Sequence, residues 1–175
     1  MNTETFELFF ALLTIATLAT TAALVVARLV ARTRASGREV LSSVAASRMA
    51  ICAVITTTAI LGSLYFSEVA HFVPCTLCWY QRIAMYPLAI LTVMAAVRKE
   101  DLSPYVRVIA SIGLVISAYH WLLERFPNID AGVCSTAVPC ELVWFEKFGF
   151  ITLPFMGFTA FAAVLALTTL PRQQE

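Results

Sequence analysis

Four of the five cysteines fall into two pairs whose spacing suits disulfide formation, metal binding or electron exchange with a partner dithiol. Cys75 and Cys78 stand at C-x-x-C spacing in Val73-Pro74-Cys75-Thr76-Leu77-Cys78-Trp79-Tyr80-Gln81-Arg82, directly ahead of a long apolar run. Arg82 follows Cys78 by one helical turn, so on a helix the two share a face. A guanidinium there favours thiolate over thiol, and so does the positive end of a helix that begins near Cys78. Cys134 and Cys140 form a C-x5-C pair farther along.

The elements that must position these thiols are apolar. The chain is 60% hydrophobic and 13% charged, with a mean hydropathy of +0.83. A soluble domain carries roughly a quarter charged residues, so this composition describes an integral membrane protein. The net charge is +1, without a basic block of the kind that binds nucleic acid. No phosphate-binding Gly-rich loop, Ser-His-Asp pattern or internal repeat is evident.

Five apolar runs are long enough to be read as membrane spans. Leu8 to Val30 is the first; its acidic start, with Glu4 and Glu7, favours a retained helix over a cleaved signal peptide. Ala31 to Arg48 is polar and reads as a loop. Met49 to Phe66 is the second span, and about Trp79 to Val97 the third, with Pro87 inside it. Pro104 opens the fourth, which runs to about Leu123. Glu124 to Lys147 is the longest loop after that. Phe148 to Leu170 is a charge-free fifth span. The expected fold is therefore an all-α, polytopic membrane helix bundle. Residues 1–48 would form a first transmembrane helix and a basic cytoplasmic loop, and residues 49–175 a four-helix unit with two cysteine loops.

Basic residues give the orientation. With the 31–48 loop, the Arg98-Lys99 turn and the C-terminus in the cytoplasm, that side holds Arg28, Arg32, Arg34, Arg38, Arg48, Arg98, Lys99, Arg107 and Arg172. The opposite side holds Arg82, Arg125 and Lys147. All four paired cysteines then lie on the outer side, where disulfides persist. Four cysteines allow three pairings, and the short spacings favour Cys75–Cys78 and Cys134–Cys140. Both close small loops and make poor staples, which fits exchangeable bonds better than structural ones. Structural disulfides in an inert scaffold are the alternative. A zinc site is a third reading; against it stand the wide second spacing and the nearby Arg82. Cys52, inside the second span, reads as a buried apolar residue.

These motifs carry a family resemblance. From Leu61-Gly62-Ser63-Leu64-Tyr65-Phe66-Ser67-Glu68 through Pro74-Cys75-Thr76-Leu77-Cys78-Trp79-Tyr80-Gln81-Arg82 to Met85-Tyr86-Pro87-Leu88, the sequence resembles the DsbB family of disulfide-bond formation proteins, and within it the BdbC branch. Cys134-Ser135-Thr136-Ala137-Val138-Pro139-Cys140 and Phe148-Gly149-Phe150-Ile151-Thr152-Leu153-Pro154-Phe155 agree with it. The family has a four-helix core, so Leu8–Val30 is an extra N-terminal helix whose contribution the resemblance does not supply.

The resemblance implies a quinone-dependent thiol oxidase in a bacterial cell membrane. A DsbA- or BdbD-like thioredoxin-fold partner would attack the Cys134–Cys140 disulfide at Cys134. Electrons would pass to Cys75–Cys78 through an interloop disulfide involving Cys75, and Cys78 would meet the quinone, menaquinone or ubiquinone, with Arg82 beside it. His120 and Glu124, one turn apart near the outer end of the fourth span, would border the quinone or carry its protons, or else lie solvated at the interface. No metal is expected. A thiol reductase exporting electrons would need a cysteine path across the bilayer, and Cys52 alone does not make one.

Overall fold

A chain with this much apolar surface must satisfy its backbone polar groups internally, and helices do so without help from neighbours. The computed structural model describes residues 2–31, 35–135 and 137–170. Among the described residues there are six α-helices: α1 (Thr3–Ala31), α2 (Ala35–Ala46), α3 (Arg48–Leu64), α4 (Thr76–Arg98), α5 (Ser103–Arg125) and α6 (Leu153–Thr168). A π-helical turn, Tyr65–Val69, continues α3. The helices α1, α3 with its π turn, α4 and α5 are each long and apolar enough to cross a membrane.

Two segments depart from the sequence reading. The stretch 31–48, expected to be a loop, carries α2. Leu41 and Ala45, one turn apart, are buried in the core, and this amphipathic spacing supports a helix among the polar residues. Arg32, Arg34, Thr136, Arg172 and Glu175 lie outside the described residues. The expected span Phe148–Leu170 begins its helix only at Leu153. Phe148 and Gly149 adopt left-handed backbone, and Lys147 pairs with Ile151 in an antiparallel bridge. Pro154 lacks an N–H and suits the first helical turn that follows. The resulting α6 has 16 residues, about 24 Å of helix at a rise of ~1.5 Å.

One core runs through the bundle. It joins Leu41 and Ala45 of α2 to Cys52 of α3, Leu88 of α4, Val106 and Ala110 of α5, and Phe161 and Val164 of α6. Close approach is fixed by small and polar groups. Thr56 of α3 and Thr92 of α4 are fully buried and share a hydrogen bond of 3.0 Å. Gly113 of α5 faces the ring of Phe161, where a Cβ would come within 2.3 Å of it. Arg48 at the start of α3 pairs with Asp101 at 2.6 Å, and Asp101 also accepts from the Ser103 N–H at 3.1 Å. That carboxylate therefore ties α3 to the start of α5.

Helix α1 packs chiefly on α6 and α2. Its N-terminal end is held by Glu7–Lys147 at 2.9 Å and by Phe6 stacked on Tyr65 at 3.9 Å. Arg28 donates to the Thr169 hydroxyl at the other end.

Candidate functional site

Pro74 ends the extended segment after the π turn, and Cys75 becomes the N-cap of α4. Its backbone is extended, and its Sγ accepts from the Cys78 N–H at 3.2 Å. The helix-terminal sulfur is thus Cys75, where the sequence reading had a helix beginning near Cys78. Cys75 and Cys78 are not bonded to each other; their sulfurs stand 2.9 Å apart. Cys134 and Cys140 are joined in a disulfide. Cys75, Leu77, Leu123 and Cys140 form a buried cluster against which Cys78 and Cys134 pack. The bundle therefore gathers both pairs at one end. Cys140 is buried, whereas Cys134 is partly accessible.

His120, on α5, links the two pairs. Its Nε2 lies 3.6 Å from Cys75 Sγ and 3.1 Å from the Cys140 carbonyl. A carbonyl only accepts, so Nε2 carries the proton. Gln81 Nε2 then donates to His120 Nδ1 at 2.8 Å. The Cys78 thiol, donating to Cys75, holds the Cys75 sulfur well below the ordinary thiol range, at about 4; burial opposes this, while His120 and the Cys78 N–H reinforce it. Cys75, Cys78 and His120 place donor atoms within 4.8 Å of one another, a set that zinc could use. In this arrangement both nitrogens of His120 are already engaged by protein groups.

Beside the cluster lies a cavity of about 170 Å³ with a mostly apolar lining. Cys78, Gln81 and Arg82 of α4 and His120 of α5 form its polar side, and Ile55, Met85, Tyr86 and Pro154 contribute apolar walls. Arg82 is nearly buried. Its Nε donates to the Ser63 hydroxyl at 2.9 Å, its Nη2 to the Ser63 carbonyl at 3.0 Å, and its guanidinium stands 5.3 Å from the Trp79 ring centre. Glu124 does not line this cavity. It accepts from the Thr152 hydroxyl at 2.6 Å and borders a small space shared with Cys75, Cys78 and His120. The segment after Cys140 forms no helix; Trp144 stacks on Phe72 at 4.9 Å, and the buried Phe145 packs on Phe66.

Gln81 is the site residue that was not singled out in the sequence. The signal was present: Cys78, Gln81 and Arg82 are spaced i, i+3 and i+4 on one helix, which predicts a shared face. Gly157 of α6 makes room for this glutamine, because a Cβ there would lie 2.8 Å from Gln81 Oε1.

An apolar helix bundle with two cysteine pairs gathered at one end defines a membrane protein of thiol–disulfide chemistry. The model of the family "Disulfide bond formation protein DsbB" matches residues 45–171, and the chain belongs to that family. Among curated relatives, disulfide bond formation protein C of Bacillus subtilis is 42% identical over 125 residues, covering 70% of this chain and 90% of that protein. A probable disulfide formation protein of Oceanobacillus iheyensis is 41% identical over 120 residues, covering 67% and 83%. No solved structure matches the chain.

Proposed function

We propose that this protein is a membrane thiol oxidase that reoxidises a thioredoxin-fold partner and delivers the electrons to a quinone. The observation that carries this reading is the placement of Cys78. It packs against the cluster that holds the other three paired cysteines, and it also lines the apolar cavity together with Arg82.

The cavity residues fit such an acceptor: apolar walls suit a ring and its isoprenoid tail, and Gln81 and Arg82 offer donors for carbonyl oxygens. A bound quinone would supply a sink for two electrons and two protons. Toward it Arg82 offers a fixed positive charge, held in place by Ser63.

The thiol steps balance as follows. A partner thiolate attacks the accessible Cys134 sulfur, and Cys140 leaves as a thiolate within the buried cluster. The partner's second thiol displaces Cys134 and completes the partner's own disulfide. Cys140 then attacks Cys75 of the Cys75–Cys78 disulfide, and Cys78 leaves facing the cavity. Cys134 attacks Cys140, re-forms the loop disulfide and expels Cys75. The low Cys75 pKa makes it a good leaving group for that last step. It also stabilises the reduced Cys75–Cys78 pair, which makes its disulfide a stronger oxidant. The Nε2 proton of His120 faces the charge that develops at Cys75.

The test uses purified full-length protein, a reduced thioredoxin-fold partner and a soluble quinone. Partner oxidation should require the quinone, and alanine at Cys75, Cys78, Cys134 or Cys140 should abolish turnover. Normal turnover in the Cys134→Ala/Cys140→Ala double variant would sink the two-pair relay. A scaffold with structural disulfides would instead show no quinone dependence.

A further inference from the structure

Helix α1 lies outside the segment matched by the family model, yet it supplies one side of the cavity at Cys78. Phe10, Leu13, Thr14 and Thr17 follow i, i+3, i+4, i+7 spacing, and all four line the cavity. The Thr14 and Thr17 hydroxyls donate to the carbonyls of Phe10 and Leu13 at 2.8 Å. What this face offers the cavity is therefore methyl, aliphatic and ring surface. Leu8, Leu12 and Ile15 on the same helix are exposed apolar residues. Helix α1 thus has one apolar face on the cavity and apolar residues turned outward.

The fit against α3 is close. Phe10 enters where Gly62 has no side chain; a Cβ there would lie 2.6 Å from its ring. With the ion pair at Glu7, the Phe6–Tyr65 stack and the Arg28 hydrogen bond, α1 is attached along its length.

We infer that α1 is a quinone-binding element: its Phe10-Leu13-Thr14-Thr17 face forms the wall against which the quinone packs, and this contact contributes to affinity. This rests on the quinone reading above and assigns part of that site to a helix outside the family match.

The experiment is photoaffinity labelling of the full-length protein in lipid nanodiscs with an azido-substituted isoprenoid quinone, with labelled peptides mapped by mass spectrometry. Label that excess unlabelled quinone displaces should fall on the α1 peptide containing Phe10 to Thr17, as well as on α4. Thr14→Trp, which fills the cavity from the α1 side, should weaken quinone binding by about tenfold. Ile15→Trp, on the outward side, should leave binding unchanged. The Cys134–Cys140 disulfide and the thermal unfolding profile report whether Thr14→Trp has folded, and the wild-type labelling pattern does not depend on that variant. Displaceable label on α4 with none on α1 would overturn the role of α1 and leave the quinone reading intact. Absence of displaceable label on any peptide would overturn both.

Discussion

Cys75 stands at the N-cap of α4 with strongly altered thiol chemistry. Its sulfur receives the Cys78 thiol, the Cys78 N–H and the His120 edge, and its pKa falls from 9.0 to about 4. The sign follows directly. A depressed thiol pKa adds stability to the reduced folded protein that is complete above the unfolded thiol range and is lost as pH falls through about 4. The ultraviolet absorbance of one thiolate in the reduced protein should therefore persist as pH drops from 9 and disappear near 4. In His120→Ala that disappearance should move to higher pH, because a hydrogen bond to the Cys75 sulfur is lost. A titration of the variant identical to wild type would remove His120 from the account. The cysteines and Arg82 were legible from residue type and spacing. The bridging role of His120 was not, because it depends on Gln81 and on the Cys140 carbonyl, and no spacing along the chain encodes either contact.

At the scale of elements, two glycines each admit an aromatic ring from a neighbouring helix, and filling them carries different costs. Gly113→Ala gains roughly 1 kcal/mol of helix propensity. It also drives a methyl group to within 2.3 Å of the fully buried Phe161 ring. Overpacking of this kind costs about 1–3 kcal/mol. Gly113→Ala should therefore lower the thermal unfolding temperature in detergent, and Phe161→Leu should restore part of the loss. Gly62→Ala meets only the half-buried ring of Phe10 and should cost less. Helix positions were legible where hydrophobic runs were long. They were misread where a helix is short and polar, as in α2, or where local backbone delays its start, as in α6. In α6 the left-handed Phe148 and Gly149 and the Lys147–Ile151 bridge occupy residues whose apolar character reads as span.

Across the whole molecule, both cysteine pairs lie at one end of the bundle, and the Arg98-Lys99 turn closes the opposite end of α4. From the basic asymmetry of the sequence we propose that this turn faces the cytoplasm. In a cysteine-free background, Asp130→Cys should react with a membrane-impermeant maleimide on intact cells. Glu100→Cys should react only after permeabilisation. The reverse pattern would invert the bundle. The four-helix portion was legible because charge, span length and cysteine position agree with one another. The placement of the first helix was not, because hydropathy specifies that it is apolar and leaves open which groove it occupies. Phe10 against Gly62 and Glu7 against Lys147 are tertiary contacts that fix it.

The cap on α4 has a mechanical side. In the reduced pair, Cys75 as a thiolate is a strong acceptor for the Cys78 N–H; joined to Cys78, it would be a neutral sulfur and a poorer one. The first two turns of α4 bear Cys78, Gln81 and Arg82, on the polar side of the cavity. On the proposed relay, an arriving electron pair would strengthen that cap, and its departure would weaken it. The dithiol would then act as a clasp as well as a carrier, with the hold on the helix start following its charge.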